Sequence, residues 1–283
     1  MPFANDVGPA GVSRALALAV LTIVASAYMI GWRRLARRSA GTVALWRPLA
    51  AAGGLGAFAV ATVSPLAEVA HERFTAHMFQ HVLMMMIAVP ILLIADPFPA
   101  VLWSMPRQAR GLVGRLLTRA APLRRYAAAI VAPGIAWALS STLVWLWHLP
   151  TLYDLALENE AWHVVEHFAF VAAAVIFWWP VLAPAPRLRR PPSDGTRLAY
   201  LVLSALSTGA LGVLFASTTR AIYTAYAGAP DALDDQRLGG VVMWAVGSGV
   251  EMTAILAVVW RILARLGRSA LTPPGPVGED GLV

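Results

Sequence analysis

Six histidines are the residues of this chain best suited to chemistry, and four of them form two pairs, His77 with His81 and His163 with His167. Each pair has i,i+4 spacing, which on a helix stacks two imidazoles on one face, one turn apart. Neutral imidazole is the commonest metal ligand and suits copper, zinc and iron. His71 and His148 complete the set. Methionines lie nearby in sequence, at Met78, Met84, Met85, Met86 and Met243, and soft thioether sulfur selects Cu(I). The chain has no cysteine, which excludes disulfides, thiolate metal sites and covalent c-type haem. It also has no lysine, so no retinal Schiff base can form. Histidine and methionine without cysteine point to copper more than to zinc.

Three further features bear on that chemistry. His163-Val164-Val165-Glu166-His167 reads as H-x-x-E-H, a metallopeptidase pattern that is weakly specific inside an apolar helix. Glu166 there is equally suited to fixing a histidine tautomer. Asp235 precedes an apolar run, as a ligand or as a helix N-cap. Glu251 falls in the middle of that run, where a carboxyl suits proton or ion handling. The expected metal set is therefore His77, His81, His148, His163, His167, Asp235, Met78 and Met243, with Glu166 and Glu251 in supporting or proton-handling roles. A b-type haem between paired histidines, an intramembrane peptidase and a transporter acting through Glu251 are the alternatives.

The elements that must position these residues follow from composition. The 283 residues are 59% hydrophobic and 13% charged, with mean hydropathy +0.66. Soluble domains carry about 25% charged residues, so the bilayer is the natural solvent here. Seven runs reach span length, at about 14–32, 43–64, 75–95, 127–147, 162–182, 198–219 and 238–263. Continuous apolar runs mean helices, because lipid leaves no partner for unpaired backbone. The expected fold is an all-α, polytopic transmembrane bundle, one domain over 1–271 with a disordered cytoplasmic tail over 272–283. Asp6 and a span-length first run read as a first transmembrane helix rather than a signal peptide. The stretch 107–120 reads as a helix of a cytoplasmic loop, or as an interfacial one.

Charge orients the bundle. Eighteen of the 22 arginines fall in the connections after spans 1, 3 and 5 and after span 7, whereas the other connections hold most of the acids. The positive-inside rule puts the N-terminus outside and the C-terminus in the cytoplasm. The net charge of +7 is thereby explained by topology and anionic lipid, and needs no nucleic acid. Every histidine then lies in an outer loop or at the outer end of a span.

Three blocks carry a family resemblance. The first is His77-Met78-Phe79-Gln80-His81 with Pro90 beyond it. The second runs from Trp145-Leu146-Trp147-His148-Leu149-Pro150 through Tyr153 and His163 to Glu166-His167-Phe168 and Phe177-Trp178-Trp179-Pro180. The third is Asp235-Gln236-Arg237-Leu238-Gly239-Gly240 with Met243-Trp244. In this order the chain resembles the CtaG-type cytochrome c oxidase assembly factors of bacteria. That resemblance implies a non-enzymatic protein of the bacterial plasma membrane, acting in maturation of the haem–copper oxidase. It further implies a haem–copper oxidase subunit as partner, copper taken from a periplasmic or extracellular carrier, and an outward-facing copper site.

Overall fold

The computed structural model describes residues 9–38 and 44–270, and no strand occurs among them. The expected tail over 272–283 lies outside the described residues. The helices are α1 (Pro9–Arg38), α2 (Trp46–Val63), α3 (Pro65–Glu72) and α4 (Phe74–Val82). A π-helical stretch (Leu83–Ala88) joins α4 to α5 (Val89–Ile94). There follow α6 (Pro97–Ser104), α7 (Arg107–Leu116), α8 (Pro122–Ile130), α9 (Pro133–Trp147), α10 (Pro150–Glu158), α11 (Glu160–Leu182), α12 (Asp194–Ser217) and α13 (Ala232–Ala270).

Five helical stretches are long and apolar enough to cross a membrane, and up to seven if each of two bent pairs is one span. The bent pairs are α2–α3, at 47°, and α8–α9, at 70°. The span expected at about 127–147 corresponds to the bent pair α8–α9, which proline breaks. Pro133 has no N–H and pushes Ala132 into extended geometry (ψ 135°), so the helix restarts at Pro133. Ser64 and Pro65 do the same before α3, where Ser64 Oγ accepts from the Leu66 N–H. The apolar stretch of α1 is only 11% buried, with Leu16 and Ile23 among its exposed side chains. Such a face is stable in lipid, not in water. This is a membrane protein.

Two contacts place the site-bearing helices. Helices α12 and α13 touch backbone to backbone: a Cβ on Gly240 would fall 2.6 Å from the Gly212 carbonyl oxygen. Small residues permit such approach between membrane helices. Next to it, a Cβ on Gly239 would strike Phe74 Cδ1 at 2.3 Å, so the bare glycine lets the first turn of α4 lie on α13.

The second contact explains the π-helical stretch. Along it each N–H reaches five residues back, as Val89 does to the Met84 carbonyl. The next donor in that register would be Pro90, which has no N–H, so the Met85 carbonyl is left over. Trp178 Nε1 of α11 donates to it at 3.1 Å. This bond ties α11 to the π-helical stretch just beyond His81, and so fixes the register of the two histidine-bearing helices. Tyr200 of α12 makes a similar contact, donating to the Phe177 carbonyl at 2.8 Å.

The arginine-rich end is held by two acids. Asp194 receives Arg261 and, at 2.7 Å, Arg265. Asp96 accepts from Arg47 at 3.3 Å and from the Ala185 N–H at 2.9 Å. Helix α7 falls within the expected 107–120 stretch and buries none of its residues. Its Arg110 lies 4.4 Å over the ring of Trp103.

Candidate metal centre

The histidine-bearing turns begin at two caps. Asn159 Oδ1 accepts from the Ala161 and Trp162 N–H groups at 3.0 and 3.3 Å, starting α11 so that His163 and Glu166 turn inward. Helix α4 starts after Arg73, whose extended backbone separates it from α3. Its cap comes from α13: Asp235 Oδ2 accepts the Phe74 N–H at 2.6 Å, while Oδ1 lies 3.4 Å from Arg73 Nε. Arg73 also clasps Asp231 through two bonds, of 2.9 and 2.7 Å, which hold that carboxyl below the usual carboxylate range.

His77, His81, His163 and His167 converge. The rings of His77 and His163 are 5.5 Å apart across the two helices, and those of His81 and His167 are 5.2 Å apart. Within each pair the centroids are 4.2 Å apart. Glu166 sits among them with no exposed surface; its Oε2 is 3.6 Å from His77 Nε2 and 4.0 Å from His81 Nε2. Ligand atoms of His77, His163 and Glu166 lie within 4.8 Å of one another, and so do those of His81, Glu166 and His167. Among the described residues neither oxygen of Glu166 has a hydrogen-bond partner, and neither nitrogen of His81 has one.

Tautomers follow from the backbone. His77 Nδ1 is 3.3 Å from the Ala70 carbonyl, which can only accept, so Nδ1 carries the proton. Nε2 is thereby left with its lone pair, buried and turned toward Glu166. Tyr226 donates to the same carbonyl at 3.0 Å, and Tyr153 lies 3.4 Å from the Tyr226 hydroxyl. Burial pushes the Tyr226 hydroxyl above its ordinary range, which keeps it a donor. His148 is set in the same way: Nδ1 donates to the Val144 carbonyl at 2.7 Å and Nε2 is left unpartnered. An imidazole whose other nitrogen donates to a carbonyl is held ready for a metal.

Other expected ligands stand apart from this cluster. His148 packs on Phe170, with centroids 5.7 Å apart, as His81 does at 4.5 Å, but it falls in none of the metal-ligand groups among the described residues. Met78 points to α13, with Cγ 3.3 Å from the space above Gly239. Met243 packs against the apolar core. Glu251 is fully buried beside Ser204 of α12 and joins no group of metal-ligating residues. Asp235 is committed to Phe74 and Arg73, the capping role. Asp235→Ala is therefore expected to cost about 1–2 kcal/mol of stability, the usual loss with a cap. Thermal melts in detergent check this.

Two residues outside the expected set join the cluster. His71, expected in a loop, is in the last turn of α3, with its ring 4.7 Å from that of His163. His71, Glu160 and His163 form a third group with ligand atoms within 4.8 Å. The i,i+3 spacing of Glu160 and His163 was the available signal, because it puts both on one helix face.

Residues 26–265 match the family model of the cytochrome c oxidase caa3 assembly factor, Caa3_CtaG. The chain belongs to that family. The match takes in both histidine pairs, Glu166 and the helices that hold them. No curated protein and no solved structure matches the chain significantly. As a Caa3_CtaG protein it is an assembly factor with the oxidase as its implied partner, and the histidine–glutamate cluster lies within the part that defines the family.

Proposed function

We propose that this Caa3_CtaG protein carries copper for the oxidase, bound by His77, His81, His163, His167 and Glu166, with the site facing outward from the bacterial plasma membrane. One observation carries the proposal: a fully buried carboxyl with no hydrogen-bond partner among the described residues, ringed by four imidazoles whose Nε2 atoms are also unpartnered. A buried carboxylate without a compensating charge is expensive, and so is each orphaned polar atom. A divalent cation bound to Glu166, with His77 and His163 or with His81 and His167, satisfies the carboxylate and two imidazoles at once. Nitrogen and oxygen donors suit cupric copper, and no methionine sulfur enters the set. Copper is cargo here, accepted from an outer carrier and passed to the oxidase subunit.

Seven spans with the N-terminus outside fit this reading, since the cluster lies at the ends of α4 and α11 remote from the paired arginines of Asp194. The donor geometry favours an ion over haem. A porphyrin needs a flat slot between its histidines, and here Glu166 lies there, with Phe170 4.5 Å from His81 and Tyr153 5.1 Å from His77. Peptidase chemistry needs a water-accessible base, whereas Glu166 has no exposed surface.

The test is made in a bacterium deleted for this gene. Complementation with the His77→Ala/His163→Ala variant is expected to yield oxidase depleted of copper, whereas the parent gene restores copper and activity. Full copper in oxidase from variant cells, with the variant present in the membrane, contradicts the proposal.

A further inference from the structure

Three groups of ligand atoms overlap along the two helices. His71, Glu160 and His163 form the outer one, His77, His163 and Glu166 the middle one, and His81, Glu166 and His167 the inner one. Neighbouring groups share a residue, His163 between the first two and Glu166 between the last two. Exposure falls from the outer level to the middle one: His71 is exposed and Glu160 half-buried, whereas His77 and Glu166 have no exposed surface; at the inner level His81 is buried and His167 half-buried. On α11, Glu160, His163 and His167 stack at i, i+3 and i+7 on one face, a rise of about 10 Å. On the other side the chain supplies one histidine per level, from α3 and then α4, with ring centroids 4.7, 5.5 and 5.2 Å from their opposite numbers.

We infer that His71, Glu160 and His163 form a second, surface-accessible copper site that loads and unloads the buried one through shared ligands. The inference rests on the copper reading of the buried cluster. A bare cation moving into a buried site would lose its hydration without replacement, at large cost. Shared ligands avoid this. The ion at the outer level keeps His163 while Glu160 and His71 give way to His77 and Glu166, then keeps Glu166 while His81 and His167 replace His77 and His163. Ligands are exchanged and no electron is transferred, so the cupric ion keeps its oxidation state throughout. The carboxylate of Glu160 draws the cation to the surface level. Ala70, whose carbonyl fixes His77, directly precedes His71, so the outer and middle levels share one backbone support.

The experiment mixes the purified full-length protein with cupric ion in a stopped-flow instrument and follows quenching of tryptophan fluorescence. It compares the parent with His71→Ala/Glu160→Gln. Both altered side chains are at the surface level, and circular dichroism establishes that the variant is folded. Expected is loading slower by about tenfold, the lower end of what charge at a cleft mouth contributes to on-rates. Release to a chelator slows similarly, while copper at the buried site, counted at equilibrium, stays the same. Loading and release at parental rates overturn the shared-ligand path and leave the buried site standing. A parent that binds no copper overturns both readings.

Discussion

Glu166→Gln is expected to weaken copper binding by about a hundredfold, equivalent to about 2.8 kcal/mol, while leaving the metal-free protein at least as stable as its parent. The two effects have opposite signs because Glu166 serves the ion and not the fold. No donor bonds either of its oxygens, and its neighbours are imidazole nitrogens at 3.6 and 4.0 Å. An amide removes a charge that is costly to bury and brings an N–H within reach of the His77 lone pair. It also removes the anionic ligand common to the middle and inner groups. Copper titration against a competing chelator, with melts of the metal-free proteins, checks both signs. A lower melting temperature with unchanged affinity would make Glu166 a structural residue.

Trp178→Phe is the second large effect expected, and it acts at a distance from the metal. The Met85 carbonyl lies inside the bundle, and Pro90 cannot supply its N–H, so Trp178 is its donor. Orphaning a buried carbonyl costs about 1–3 kcal/mol, and the smaller ring adds a cavity term. The total is expected near 3 kcal/mol. Because the bond sets the register of α4 and its π-helical continuation against α11, His81 and His167 lose alignment and copper affinity is expected to fall as well. Trp178→Phe should thus lower both stability and affinity, in contrast to Glu166→Gln. Melting and chelator competition on one preparation separate the two patterns.

Much of this arrangement was legible from spacing. The i,i+4 pairs at His77–His81 and His163–His167 do occupy single helix faces, and arginine placement put both pairs at one end of the spans. That the two faces meet was not legible, because it depends on the Trp178 bond and on the bare Gly239 that seats Phe74. His71 lay beyond reach for a related reason. It is six residues before His77, a poor helical match, and only the break at Arg73 turns α3 so that His71 faces His163. Met78 was expected as a ligand through its position beside His77. Adjacent residues on a helix point about 100° apart, and Met78 faces Gly239 instead. The acid–helix start at Asp235 offered two readings, ligand or cap. The cap it forms is for α4, a helix distant in sequence, which local patterning does not show.

The most direct measurement is X-ray absorption at the copper edge of the purified, copper-loaded protein. Expected is a first shell of nitrogen and oxygen only, with the outer scattering of several imidazoles, and weakening of that scattering in His81→Ala/His167→Ala. A sulfur shell, or an unchanged spectrum in the variant, would contradict a site built from these histidines and Glu166.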